Sequence, residues 1–312
     1  MLSSVLRPGR LTVVAAFARS IYVRSAGADI ICLCGEDLPM GPFTLTCRSW
    51  PLSVSTAVRP GDVWLLSGGA ITVSRKTRIV LDAAVVWEPA RWQGQNAAAC
   101  ERALTRLLEA EGRCFPVLNG LAVFPRDVLH AAGATKRPAP AGLRKNSGNG
   151  AAGDLTAQAL AKAGREGLRA LDEWLCTPPG QDFPAARQRI LEGLLGLGPG
   201  LTPSGDDVLG GALLALHGLG LTEQAARLGE SLLNVARERT NQISCAYLRA
   251  AAAGYGASVL HEAITALCAD SPALFNTLRE LGRLGHSSGW DAFLGAICVC
   301  GRARLLMGQR AV

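Results

Sequence analysis

Two periodicities divide this chain. Between residues 11 and 90, short apolar and β-branched runs recur at 29–34, 43–47, 63–66, 70–73 and 78–87. Turn residues such as Gly35-Glu36-Asp37, Arg59-Pro60-Gly61 and Gly68-Gly69 separate them, which predicts a β meander or small barrel. From Asn96 the spacing becomes helical: Leu104, Leu107 and Leu108 share one face that ends at Gly112. After Asp154 helical spacing continues almost to the C-terminus. Leu160, Leu168, Leu171 and Leu175 are in register over 155–175, and further segments follow at 184–195, 208–219, 222–238, 243–253, 259–269, 272–284 and 290–306. Ser271-Pro272 places a capping hydroxyl before a proline suited to a first helical turn. The stretch 132–153 mixes Pro, Gly, Lys and Asn without a period and predicts a flexible loop. The expected class is α+β: a β-rich domain over 1–95, then an α-helical bundle over 96–312 that carries a glycine-rich loop.

Composition narrows the setting. No apolar run approaches the roughly 18 to 20 residues of a membrane span, so no membrane contact is expected. Arg7, Arg10, Arg19 and Arg24 precede the first acid, as in a targeting peptide, yet the apolar stretch 11–17 is short for a signal core. Val13, Val14, Ile21, Tyr22 and Val23 suit early strands instead. The ten cysteines mostly lie inside apolar segments, where a reduced thiol packs as a small hydrophobe. A cytoplasmic protein without disulfides is expected. Cys32-Leu33-Cys34 and Cys298-Val299-Cys300 leave one residue between thiols, too few for the usual zinc spacing.

The net charge of +7 is unevenly spread. Residues 1–95 carry ten basic and six acidic side chains, whereas 154–312 carry fourteen and fifteen. The helical part therefore gives no sign of the clustered basic stripe that nucleic acid usually requires, and a small anionic substrate fits the charge equally well.

The most informative stretch is GLGPGLTPSGDDVLGG, 196–211. Gly196, Gly198 and Gly200 permit positive φ, Pro199 and Pro203 stiffen the turn, and Thr202 and Ser204 are placed to cap the helix that follows. Exposed amides of Gly198, Gly200 and Gly205 at such a helix start suit a phosphate, carboxylate or carbamoyl oxygen. Asp206 and Asp207 favour the helix dipole but repel an anion unless a cation or donors intervene. The GK[ST] ending of a nucleotide loop is missing.

Two more segments carry chemistry. In 239–258, Thr240, Asn241 and Ser244 stand at a helix start, and Arg249 offers a fork for a carboxylate. In 285–296, Ser287 and Ser288 open a helix, His286 is the best proton carrier, and Asp291 is placed to orient it or bind a metal. His130, His217 and His261 have no comparable company. Ser74-Arg75-Lys76-Thr77-Arg78 superficially resembles a carbamoyltransferase phosphate run, but it precedes a strand-like segment and reads as a basic turn.

With GLGPGLTPSGDD at 196–207, T-x-x-I-S-x-x-Y-L-R and the following A-x-G-Y-x-x-S at 240–258, and L-G-H-S-S-G-x-D-x-x-L-G at 284–295, the chain resembles the AllH family. The resemblance implies a subunit of a multi-protein oxamate carbamoyltransferase, which converts oxalurate and phosphate to oxamate and carbamoyl phosphate in allantoin breakdown. It implies no residue roles. Chemistry suggests the Gly198–Ser204 backbone with the Thr202 and Ser204 hydroxyls for the anion and His286 for proton transfer. Asp207 with Asp291 would serve for orientation or for a divalent cation, and Arg249 for a substrate carboxylate. Two alternatives stand beside this: an amide or ureide hydrolase with Mg²⁺ on Asp206, Asp207 and Asp291, and a non-catalytic structural subunit.

Overall fold

The structure, a computed structural model, describes residues 6–48, 50, 57–81, 87–90, 92, 96–110, 120–121 and 151–309, with side chains of the last stretch from 158 onward. Most of the expected loop 132–153 lies outside the described residues. The chain forms two compact units, 1–90 and 91–312.

The first unit is a seven-stranded, nearly closed barrel-like sheet. Strands β1 (Gly9–Ala16), β2 (Ser20–Ser25) and β3 (Ile30–Gly35) form an antiparallel meander, and β4 (Thr44–Cys47) runs parallel to β3. The chain then returns to pair β5 (Val63–Ser67) with β1 and continues through β6 (Ala70–Thr72) to β7 (Arg78–Val80). Alternation along the strands sends Leu11, Val13, Ile21, Val23, Ile31, Leu33, Trp64, Leu66 and Ile71 into one core. The basic run at 74–78 is the turn into β7, so its side chains open no helix.

The second unit is helical. Its described helices are α1 (Ala97–Glu109), α2 (Ala151–Cys176), α3 (Ala185–Glu192), α4 (Ser204–Gly218), α5 (Thr222–Arg239), α6 (Gln242–Ala252), α7 (Ser258–Cys268), α8 (Leu274–Leu281), α9 (Ser288–Cys300) and α10 (Ala303–Gly308). The segment expected as one helix over 290–306 is two, because the chain turns at Gly301 and Arg302. Arg302 then forks onto Asp172 with two 2.7 Å bonds, tying that turn to α2. Ser271 caps a turn before α8, accepting from the Ala273 amide at 3.2 Å, and α8 starts two residues beyond Pro272.

Helices α4 and α9 form the centre. Both are apolar nearly all round, and a helix of that kind must be buried. They cross with their backbones in contact: a Cβ on Gly211 would stand 1.7 Å from the Ala292 carbonyl oxygen, and one on Gly295 1.9 Å from that of Val208. Leu209, Leu213, Phe293, Leu294 and Ile297 fill the surrounding core, each such side chain contributing about 1.5–3 kcal/mol of transfer free energy. This crossing sets the first turns of α4 and α9 side by side. No described helix is long and apolar enough to cross a membrane.

Candidate functional site

Beyond α3 the chain enters the loop 196–203. Gly196, Gly198 and Gly200 adopt φ of +74°, +116° and +107°, values that strain any residue with a Cβ. Gly196 is also pinned, because a Cβ there would lie 2.2 Å from the Arg239 carbonyl oxygen at the end of α5. Thr202 and Ser204 do not cap α4. Pro203 occupies the cap position, and the Gly205 amide that a side chain would reach is taken by the Leu197 carbonyl at 2.9 Å. Thr202 Oγ1 instead lies 3.0 Å from Ser288 Oγ, linking the loop to the start of α9.

Asp206 joins the loop to the second segment. One carboxylate oxygen accepts the Gly196 amide at 2.9 Å and the other accepts the Thr240 hydroxyl. Desolvation nevertheless raises its pKa. Ser244 Oγ is buried close enough to oppose that rise, though it falls short of a hydrogen bond by geometry. Asn241 works in two directions. Its Oδ1 caps α6 by accepting the amides of Ile243 and Ser244 at 2.9 and 3.1 Å, and its Nδ2 donates to the Leu201 carbonyl at 2.8 Å. The cap alone contributes about 1 kcal/mol.

The third segment contributes α9. Ser287 holds the cap position without a side-chain capping bond, and Asp291 in the first turn is fully buried. The backbone at Gly120 presses on it: a Cβ there would stand 2.6 Å from Asp291 Oδ2. Asp207 lies within electrostatic reach of both Asp291 and Asp206. Part of the Asp207 residue reaches the surface, but its Oδ2 is enclosed and has no hydrogen-bond partner among the described residues. Desolvation raises its pKa well above the usual carboxylate range, and the neighbouring acids add to that. The Ser288 and Thr202 hydroxyls oppose the rise without cancelling it.

The result is a site with a dry floor and a wet rim. Ser204, Asp206, Ser244 and Asp291 are buried, while Pro199, Gly200, Asn241 and His286 are exposed. Among the described residues, the amides of Gly198, Gly200, Leu201 and Thr202 make no hydrogen bond within the protein. Successive amides left open in a rigid turn form a concave anion cradle. Beside it stands Asp207, a carboxyl biased toward its protonated form and able to donate a hydrogen bond or a proton. Asp206, Asp207 and Asp291 do not bring three ligand oxygens within 4.8 Å of one another.

Apart from Gly120, the residues of these contacts fall within one comparison. Residues 194–300 match the family described as oxamate carbamoyltransferase subunit AllH. Over this region, about a third of the chain, the protein is similar to the AllH family. The match runs from just after α3 to the last residue of α9 and does not extend to the β unit. No solved structure matches the chain.

Within the matched region, Thr202, Asp206, Asp207, Thr240, Asn241, Ser244, Ser288 and Asp291 are brought together by the contacts above, while Gly198, Gly200, Ser204, Gly205 and Ser287 flank them in the same loop and helix starts. His286 and Arg249 are not drawn into that hydrogen-bonded cluster. His286 is exposed in the turn two residues before Ser288, and Arg249 is exposed on α6, its charge felt at Cys245. The remaining described histidines are structural. His217 contacts the Ala252 carbonyl at 2.9 Å, and His261 accepts the Gly256 amide at 3.0 Å, its pKa lowered to about 4 by burial. His130 lies outside the described residues. Gly120, Gly211 and Gly295 escaped sequence reasoning. For the latter two a signal existed, since glycine in the interior of an apolar helix marks a close approach.

Proposed function

We propose that this chain is the oxamate-forming subunit of a carbamoyltransferase, acting on oxalurate and phosphate within a multi-subunit enzyme. The description of the matched family, a carbamoyltransferase subunit, supports this reaction class. The observation that carries the reading is the interlocking of three distant segments: Asp206 with Gly196 and Thr240, Asn241 with Leu201, and Thr202 with Ser288.

In the proposed reaction a phosphate oxygen adds to the carbamoyl carbon of oxalurate, the bond from that carbon to the amide nitrogen breaks, and that nitrogen gains a proton. The open amides of Gly198, Gly200, Leu201 and Thr202 would hold the anionic oxygens, and donors fixed in advance favour the charge of the tetrahedral species. Asp207 would supply the proton, with Asp291 and Asp206 sustaining its raised pKa. His286 on the rim would return protons from solvent, and Arg249 would draw in the substrate carboxylate. Other subunits would complete the site.

A Mg²⁺-dependent hydrolase of amides or ureides has less support. Both oxygens of Asp206 already accept protein hydrogen bonds, and the three carboxylates do not converge as a ligand set. A purely structural subunit would have no use for a partly enclosed carboxyl biased toward its protonated form beside open amides, a combination that weakens packing.

The test is to assay carbamoyl phosphate formed from oxalurate and phosphate by the chain together with the products of neighbouring genes. The assembled enzyme should turn over, and His286→Ala should lower the rate about 10²- to 10⁴-fold, the usual span of acid–base catalysis. Since His286 is exposed, the variant should fold normally. Full activity in His286→Ala removes that residue from the mechanism, whereas no carbamoyl phosphate from the wild-type assembly removes the reading itself.

A further inference from the structure

Three cysteines that sequence spacing does not connect meet inside the helical unit. Cys100 lies in α1, Cys268 is the last residue of α7, and Cys300 is the last residue of α9. All three are buried, at 0%, 2% and 1% exposure. The helices pack against one another pairwise, which draws the three Sγ atoms within 4.8 Å of each other, with Cys268 and Cys300 at 3.8 Å. Among the described residues this is the one group of three metal-ligating side chains so placed.

We propose that Cys100, Cys268 and Cys300 form a trigonal all-sulfur site for a soft monovalent cation, Cu(I). A metal about 2.3 Å from each of three sulfurs in a plane separates those sulfurs by roughly 4.0 Å. The observed spacing needs only side-chain adjustment to reach that. Thiolate sulfur selects Cu(I) and Zn²⁺ over harder ions. Zinc in a structural site wants four ligands, and no fourth His, Cys, Asp or Glu side chain completes this group among the described residues. The surrounding core includes Ala103, Leu104, Ile264 and Leu267, which offer no polar side-chain atom to a fourth ligand or a water. A three-coordinate ion needs no water ligand in such a core, and its binding releases to solvent the protons of the thiols that ligate it as thiolates. Two-residue spacing failed to reveal the site because its ligands come from three helices. Cys298, two residues earlier in α9 and so on another face of the helix, is buried but stands outside the group.

The test titrates the full chain anaerobically with Cu(I) against a chromophoric chelator and repeats the titration with Zn²⁺. The expected result is one equivalent of Cu(I) bound. Cys100→Ser, Cys268→Ser and Cys300→Ser should each weaken binding at least 100-fold, and Cys298→Ser should bind as wild type. Because a core serine can disrupt folding, a second measurement uses the unaltered chain. Bound Cu(I) should protect Cys100, Cys268 and Cys300, and no other thiol, from alkylation mapped by mass spectrometry as the chain opens. No Cu(I) bound, Zn²⁺ bound in its place, equal loss in Cys298→Ser, or protection spread over other cysteines would each overturn the proposal.

Discussion

Gly211→Ala should leave little folded protein. The added methyl would stand 1.7 Å from the Ala292 carbonyl oxygen, so α4 and α9 must separate along their whole contact. Backbone cannot yield as a flexible side chain does, and overpacking of this kind costs about 3 kcal/mol or more. That far exceeds the roughly 1 kcal/mol that alanine adds to a helix over glycine. The neighbouring residue supplies the control. At Gly210 a Cβ meets nothing nearer than Ala251 Cβ at 3.9 Å, so Gly210→Ala should be neutral or slightly stabilising. Denaturant unfolding of both variants checks the pair. Equal stability of the two would show that the α4–α9 crossing is not as close as described.

Asp207→Asn should lower turnover of the assembled enzyme about 10²- to 10⁴-fold while making the chain more resistant to unfolding as pH rises past the raised pKa of Asp207. A raised pKa on an acid means that the folded state binds the proton more tightly than the unfolded chain. The stability this contributes is fully present below the unfolded value near 3.8 and is lost as pH rises through the folded value. Asparagine carries no charge into the enclosed position of Oδ2, so its stability curve should be flatter. The gain should grow with pH, reaching about 1–2 kcal/mol on the alkaline side. Opposite signs for stability and activity would mark Asp207 as held in an unfavourable setting for a purpose. Loss of both together would make it an ordinary structural acid.

The sequence exposed the class of fold because its two periods are strong. The expected runs 29–34, 43–47, 63–66 and 70–73 each have a strand, 78–87 has one over Arg78–Val80 with 82–86 outside the described residues, and the expected helices 208–219 and 290–306 contain the two central ones. Boundaries moved where chain direction rather than polarity decided them, as at Gly301. The three chemical segments were visible through their glycines and hydroxyls, and all three meet. What stayed hidden was who holds whom. Thr202 read as a cap for its own helix, yet the Leu197 carbonyl had claimed the Gly205 amide and left the hydroxyl for Ser288. Asp206 read as a dipole partner, but it ties two loops together across 34 residues. Such pairings depend on which helices cross, and only the tertiary fold supplies that.

The most direct measurement is hydrogen exchange on the assembled enzyme with and without phosphate and oxamate. If one site is built from all three segments, the amides of 196–207, 240–245 and 286–291 should slow together, those of Gly198, Gly200, Leu201 and Thr202 most. Protection confined to one segment, or absent from all three while the enzyme turns over, would contradict a shared site.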